Sequence, residues 1–226
     1  MRDALGILFL HHNTSATARH NLSSIRSKNR NATIVTMSAG KPFKGGYTLA
    51  ATPEIRNIHS LNPRQSSDWL VCSWFLQRQE KCTKWWVVEW DTFTRISVRE
   101  FYRPVWEQPF IAAQVYLPYR DPNWHWFLHV RDFPQNRRRY ATGAVPFLYL
   151  VDGNVLDRVC AELISNPIIS GNGELRFATV ANRCGFPPCC YSPPRDRITW
   201  KAWNKLPTEN TIIHPVKKIF GRNGRA

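Results

Sequence analysis

No apolar stretch of this 226-residue chain approaches the length of a bilayer span. The longest unbroken run is Ala4 to Leu10, so no transmembrane helix is expected. Acidic residues are scarce, 16 Asp and Glu against 31 Lys and Arg, which leaves a formal charge of +15. Such an excess favours polyanionic partners and disfavours cationic ones. Cysteine is also sparse: six in the whole chain are too few for a disulfide scaffold, and none forms a Cys-x2-Cys pair. A phosphate-binding Gly-x4-Gly-Lys-Ser/Thr loop is missing, since Gly40-Lys41 and Gly45-Gly46 do not fit it, and this argues against a nucleoside triphosphatase. No Ser occupies a Gly-x-Ser-x-Gly elbow, which removes the commonest signature of a serine hydrolase.

What is present is unevenly spread. Residues 1–68 carry nine Lys and Arg against three Asp and Glu, and residues 195–226 carry eight against two, whereas residues 69–194 are nearly balanced at fourteen against eleven. The ends are also the polar parts, with Asn, Ser and Thr crowding His11 to Thr36. Segments of that composition bury too little apolar area to offset the entropy of ordering. Residues 1–64 are therefore expected to be a basic, largely disordered arm. Met37 offers an alternative start, and Ala4–Leu10 only faintly imitates a secretory signal. Residues 191–226 read as a hinge at Pro193-Pro194 followed by a basic tail.

The folding information is expected in residues 65–190, where eight of the ten Trp lie between Trp69 and Trp126. Strands are expected at Trp69–Leu76, Lys84–Trp90, Ile111–Leu117, Trp124–Val130, Val145–Val151 and Glu174–Val180. Ser97 to Glu100 has capping-box spacing for a short helix that Pro104 stops. Asn154 can cap a longer one over Val155 to Ser165, whose Leu156, Val159, Cys160 and Leu163 share a face. No βαβ alternation is visible. The expected fold class is α+β, a mostly antiparallel sheet of about five or six strands with two helices, flanked by basic flexible arms.

Several constellations carry chemistry. His125 and His129 are four apart, and Cys184, Cys189 and Cys190 cluster in a Gly/Pro-rich loop. A structural zinc held by His125, His129, Cys184 and Cys189 (or Cys190) is one reading, and ordinary buried thiols and imidazoles are the other. No other cofactor is expected. Trp124 to His129 followed by Tyr140 imitates a rolling-circle nickase, but the histidine separation is wrong for it. Glu89, Asp91, Asp132 and Glu174 are carboxylates of the type a metal-dependent nuclease uses, though nothing in their spacing groups them. The densest basic–aromatic clusters are Arg137, Arg138, Arg139 and Tyr140, then Arg195, Arg197, Lys201 and Trp203. Arginines can take phosphates bidentately while Tyr and Trp stack on bases.

Taken as a whole, the basic ends and a compact middle containing Lys84-Trp85-Trp86-Val87-Val88-Glu89-Trp90-Asp91 and Asn123-Trp124-His125-Trp126 resemble the accessory non-structural nucleoproteins of parvoviruses, of the chaphamaparvovirus type. Trp86-Val87-Val88-Glu89-Trp90-Asp91 with Thr94 is also similar to a stretch of the adenovirus early-region 34-kilodalton adaptor family. The first resemblance implies a nuclear viral protein, not an enzyme, that supports DNA replication or RNA processing. The expected partners are single-stranded DNA or RNA, then a viral replication protein or host nuclear factors, and no membrane. The alternative is an adaptor recruiting host factors, such as a ubiquitin ligase, through the Trp-rich domain.

Overall fold

In the computed structural model, residues 4–12, 14–49, 66–144, 148–191, 198–199 and 212–213 are described. Twelve strands and six α-helices follow among them. The first third contains β1 (Leu5–His11), α1 (Ala16–Lys28), β2 (Thr33–Ser38) and β3 (Tyr47–Thr48). Next come α2 (Ser67–Gln77), β4 (Lys84–Glu89), β5 (Phe93–Thr94), α3 (Val98–Phe101), β6 (Phe110–Ala112) and β7 (Val115–Tyr116). After a 3-10 segment, His125–Asp132, stand α4 (Gln135–Arg138), β8 (Gly143–Ala144), β9 (Leu148–Asp152), α5 (Gly153–Ser165) and α6 (Gly173–Arg183). The short strands β10 (Cys189–Cys190), β11 (Ile198–Thr199) and β12 (Ile212–Ile213) complete the set.

Seven strands form the main sheet in the order β10-β6-β9-β4-β1-β2-β3. β1 pairs in parallel with both β2 and β4, with Ile7 opposite Ile34 on one side and Trp86 on the other. Only β9 runs against its neighbours, β4 and β6. This corrects the expected mostly antiparallel sheet with two helices: the architecture is a mixed, mainly parallel α/β sheet with helices on both faces.

The alternation of side chains explains the two faces. Leu8, Leu10, Trp85, Val87, Tyr149 and Val151 enter one core with α2, α5 and α6. Ile7, Phe9, Trp86, Val88, Leu148 and Leu150 enter the other, with Leu22 and Ile25 of α1. Strands covered on both faces read as continuous apolar runs, which is what Gly6–Leu10 and Trp85–Val88 are. Gly6 is required by packing, since a Cβ there would lie 2.4 Å from Trp85 Cε3.

The segment expected as a disordered arm therefore supplies the centre of the sheet. β1-α1-β2 is the βαβ unit that the sequence pattern conceals, because α1 buries only Thr17, Ala18, Asn21, Leu22 and Ile25. Ser15 caps that helix, its Oγ accepting from the Ala18 N–H at 3.2 Å.

Two expected strands are helices. Residues 69–76 lie within α2, where every residue from Asp68 to Trp74 is buried; an unbroken apolar run has no period to separate buried helix from buried strand. Residues 174–180 lie in α6, because Asn172 is its cap rather than a turn residue: its Oδ1 accepts from the Leu175 N–H at 3.0 Å. Trp124–Val130 is mostly 3-10 helix rather than strand. The expected helix over residues 155–165 is present as α5, but it begins at Gly153 after Asp152, so Asn154 lies inside its first turn instead of capping it; Ser97 caps α3 through the Glu100 N–H at 3.2 Å.

Candidate active site at the carboxyl ends of the parallel strands

Chain direction at β1 sets the site. α1 leaves β1 across one face to reach β2, whereas the chain returns along the opposite face through α2 to β4. Between β1 and β4 the connections diverge, and in open α/β sheets the crevice outside the strand carboxyl ends at such a point is where ligands bind. Here the ends bring His11 and His12 from β1, Ser38 from β2, and Glu89, Trp90 and Asp91 from β4 to one edge.

Each is held by neighbours. Ser67, the first residue of α2, donates its hydroxyl to Glu89 Oε1 at 2.8 Å. Asn21 of α1 donates to the Trp90 carbonyl at 3.0 Å. The His12 ring meets Trp90 edge-on at 5.0 Å, and His11 lies 4.5 Å from Phe43. Asp91 is buried at the end of β4.

A second set approaches from α6. Arg176, 1% exposed, makes a bidentate pair with the fully buried Asp68 at 2.8 and 2.7 Å, and also donates to the Gly171 carbonyl at 2.6 Å. That pair ties the first turn of α6 to the first turn of α2, one residue from Ser67. Tyr149 donates its hydroxyl to the Ala144 carbonyl at 2.9 Å. Burial pushes this phenol well above its ordinary pKa, and Glu174, Asp68 and Glu89 push it further. Burial also raises Tyr116, with Glu174 and Asp121 adding to it. The carboxylates of Asp68, Glu89 and Glu174 thus all bear on the buried Tyr149 phenol.

The residues singled out from sequence lie elsewhere. Arg137 is 3% exposed and bonded to Glu162 at 2.7 Å and to the Asn166 carbonyl at 2.6 Å. Arg138 donates to the Phe133 and Arg131 carbonyls at 2.9 and 2.6 Å. Both help to hold α4 in place: the Arg137 guanidinium is buried against its partners, and the exposed Arg138 gives its Nε and one Nη donor to carbonyls. Arg139 and Tyr140 face a cavity on the helical layer, treated below. Arg195, Arg197, Lys201 and Trp203 lie outside the described residues.

His125 and His129 sit on the 3-10 segment, where three residues make a turn and positions four apart diverge by a third of a turn. Their rings flank Trp126 at 4.4 and 5.8 Å. Cys184 ends α6 and Cys189 lies in β10. Burial pushes the Cys184 thiol up, which disfavours the thiolate a metal needs. Among the described residues no three His, Cys, Asp or Glu come together to hold a metal.

Glu89 and Asp91 were visible as carboxylates, but their place at the carboxyl end of β4 was not; Glu174 lies in the first turn of α6 and Asp132 at the end of the 3-10 segment. His11, His12, Asn21 and Ser67 were missed altogether. The signal that could have found them is the apolar run Ala4–Leu10 ending in two histidines, read as a strand rather than a leader.

No family model matches the chain, and no curated protein sequence matches it. Solved structures do. One described as an active-site mutant of LgtC aligns over 98% of this chain and 91% of its own, with TM-score 0.53 and 12% identity. A second, described as the galactosyltransferase LgtC in complex with donor and acceptor sugar analogues, covers 93% and 87% at TM-score 0.49 and 11% identity. At that identity the first likeness shows the fold alone, an α/β, Rossmann-like arrangement.

The likeness overturns the resemblance to parvovirus nucleoproteins and to the adenovirus adaptors. The stretch that suggested both, Lys84 to Asp91, is the central strand β4 and its carboxyl end. Overturned with it are the expectations of a non-enzymatic viral nucleoprotein or adaptor and of nucleic acid as partner, since the fold is shared with an enzyme over nearly the whole chain. Among the described residues no helix is long and apolar enough to cross a membrane.

Proposed function

We propose that this chain is a glycosyltransferase that moves a sugar from a phosphate-activated donor to an acceptor hydroxyl, with the donor in the crevice between β1 and β4. The fold likeness over 98% of the chain supports the class. The observation that carries the placement is the carboxylate pair, Glu89 and Asp91, leaving the central strand at the topological switch point.

The donor class follows from the chemistry at that edge. α1 begins four residues beyond β1 with no acidic residue in its first turn, and a helix N-terminus beside a strand end favours phosphate oxygens. Two carboxylates would repel a phosphate unless a cation lies between them. Among the described residues the protein brings no three metal-ligating side chains together, but a Mg2+ or Mn2+ ion shared with substrate phosphates needs only one or two carboxylates. Glu89 and Asp91, hard oxygen donors, fit that role, and such an ion would neutralise charge on the departing phosphate.

In the reaction the bond between the sugar's anomeric carbon and the phosphate oxygen breaks. A new bond forms from that carbon to the acceptor oxygen, whose proton leaves to solvent or to the phosphate. The chain's own part is positioning: Ser67 orients Glu89, and Asn21 fixes the backbone at Trp90.

The test is turnover of a panel of nucleoside-diphosphate sugars and sugar phosphates with added Mn2+ and sugar acceptors. Asp91→Asn, checked for folding by circular dichroism, is expected to lose about 100-fold or more in turnover, as removing a several-kcal/mol electrostatic contribution should. Absence of donor binding and of turnover across the panel would sink the reading.

A further inference from the structure

On the outer side of the helical layer, α4, α5 and α6 border an open cavity of about 680 Å³, lined among others by Arg139, Tyr140, Arg158, Glu162, Arg183 and Cys184. The geometry points to a second ligand site here, for a small phosphate monoester whose phosphate is held by Arg139, Arg158 and Arg183.

The charge balance is the argument. Glu162 is the one carboxylate in this lining, and its Oε1 already accepts from Arg137 and from Arg183. Among the described residues the side chains of Arg139 and Arg158 make no ion pair and no hydrogen bond. Their neighbours are rings, Tyr140 at 4.9 Å and Phe186 at 5.8 Å. Rings hold a guanidinium by its face and leave its edge, with the N–H donors, to other partners. Three guanidiniums on one concavity, opposed by a single doubly shared carboxylate, make a focused positive potential. Guanidinium edges match phosphate oxygens in bidentate pairs.

The volume separates a small molecule from a bare ion. Ligand cavities of this size hold organic molecules, and one phosphate group would fill only a small part. The Tyr140 ring and Ala161 in the wall suit the organic remainder. The site is also separate from the crevice. Glu174, at the other end of α6, is nine residues from Arg183, about 14 Å along the helix at its ordinary rise.

Isothermal titration of the full chain with inorganic phosphate and, separately, with ribose 5-phosphate tests the assignment. Both are expected to bind saturably, the monoester more tightly. The double variant Arg139→Ala/Arg158→Ala, with an unchanged unfolding midpoint, is expected to bind each about tenfold or more weakly, as the loss of charge-assisted hydrogen bonds should give. Asp91→Asn should leave both titrations unchanged, which keeps this site distinguishable from the donor crevice. Equal affinity in the double variant, or no saturable binding of either probe, would overturn the assignment. Binding of inorganic phosphate with no gain for the monoester would overturn the organic ligand.

Discussion

The two ends of α6 carry the same residue type in opposite circumstances. At its first turns Arg176 is sealed between α2 and α6, its charge met by both oxygens of Asp68. In its last turn Arg183, paired with Glu162, opens with Arg158 of α5 and Arg139 at the end of α4 onto a cavity of about 680 Å³. Burial decides the difference. An arginine removed from water must be paired, and then it becomes architecture; one left at a wet concavity keeps donors for a ligand. The proposed donor crevice sits at the architectural end, where Ser67 holds Glu89 in place.

That contrast can be broken by mutation, and the largest effect belongs to the buried pair. Arg176→Ala leaves Asp68 charged and enclosed, and is expected to cost about 3–5 kcal/mol in urea unfolding. Arg139→Ala, its counterpart at the open end, should stay within about 0.5 kcal/mol. Equal losses in the two variants would remove the distinction.

Alkali sharpens the same comparison. Tyr149, fully buried against Phe177 of α6, has its pKa raised well above the ordinary 10.0. A raised folded pKa means that its stabilising contribution is complete below pH 10 and is lost as pH rises beyond it, by about 1.4 kcal/mol per unit. Unfolding midpoints measured from pH 9 upward should fall along that slope, and Tyr149→Phe should flatten it.

The smallest expected effect is at the cap. Asn172→Ala removes the acceptor for the Leu175 N–H and should cost about 1 kcal/mol. If Asn172 also helps fix Glu174, donor turnover will fall by more than that loss of stability explains.

Legibility in the sequence followed the strength of local signals. α5 was readable because Leu156, Val159, Cys160 and Leu163 repeat at helical spacing beside polar neighbours, and β4 because Lys84 to Val88 is dense in Trp and Val. α1 was hidden by its polarity, since it covers the sheet with little more than Ala18, Leu22 and Ile25. The run at residues 69–76 carried no period, and at 174–180 the cap Asn172 looked like a turn. The site was less legible still: Glu89 and Asp91 are two apart in sequence, but Ser67 and Asn21 join them only through the packing of α2 and α1 on the sheet.

By itself the sequence determined the surplus of positive charge, the local start of α3 and the apolar face of α5, because these depend on composition and on neighbours a few residues apart. The tertiary structure decided that residues 5–38 form the heart of a parallel sheet, that Arg137 is buried structure while Arg139 faces a cavity, and that Ser67 of α2 holds Glu89 at the end of β4. Those outcomes rest on pairings between residues far apart in the chain, and no local pattern encodes which strand lies beside which.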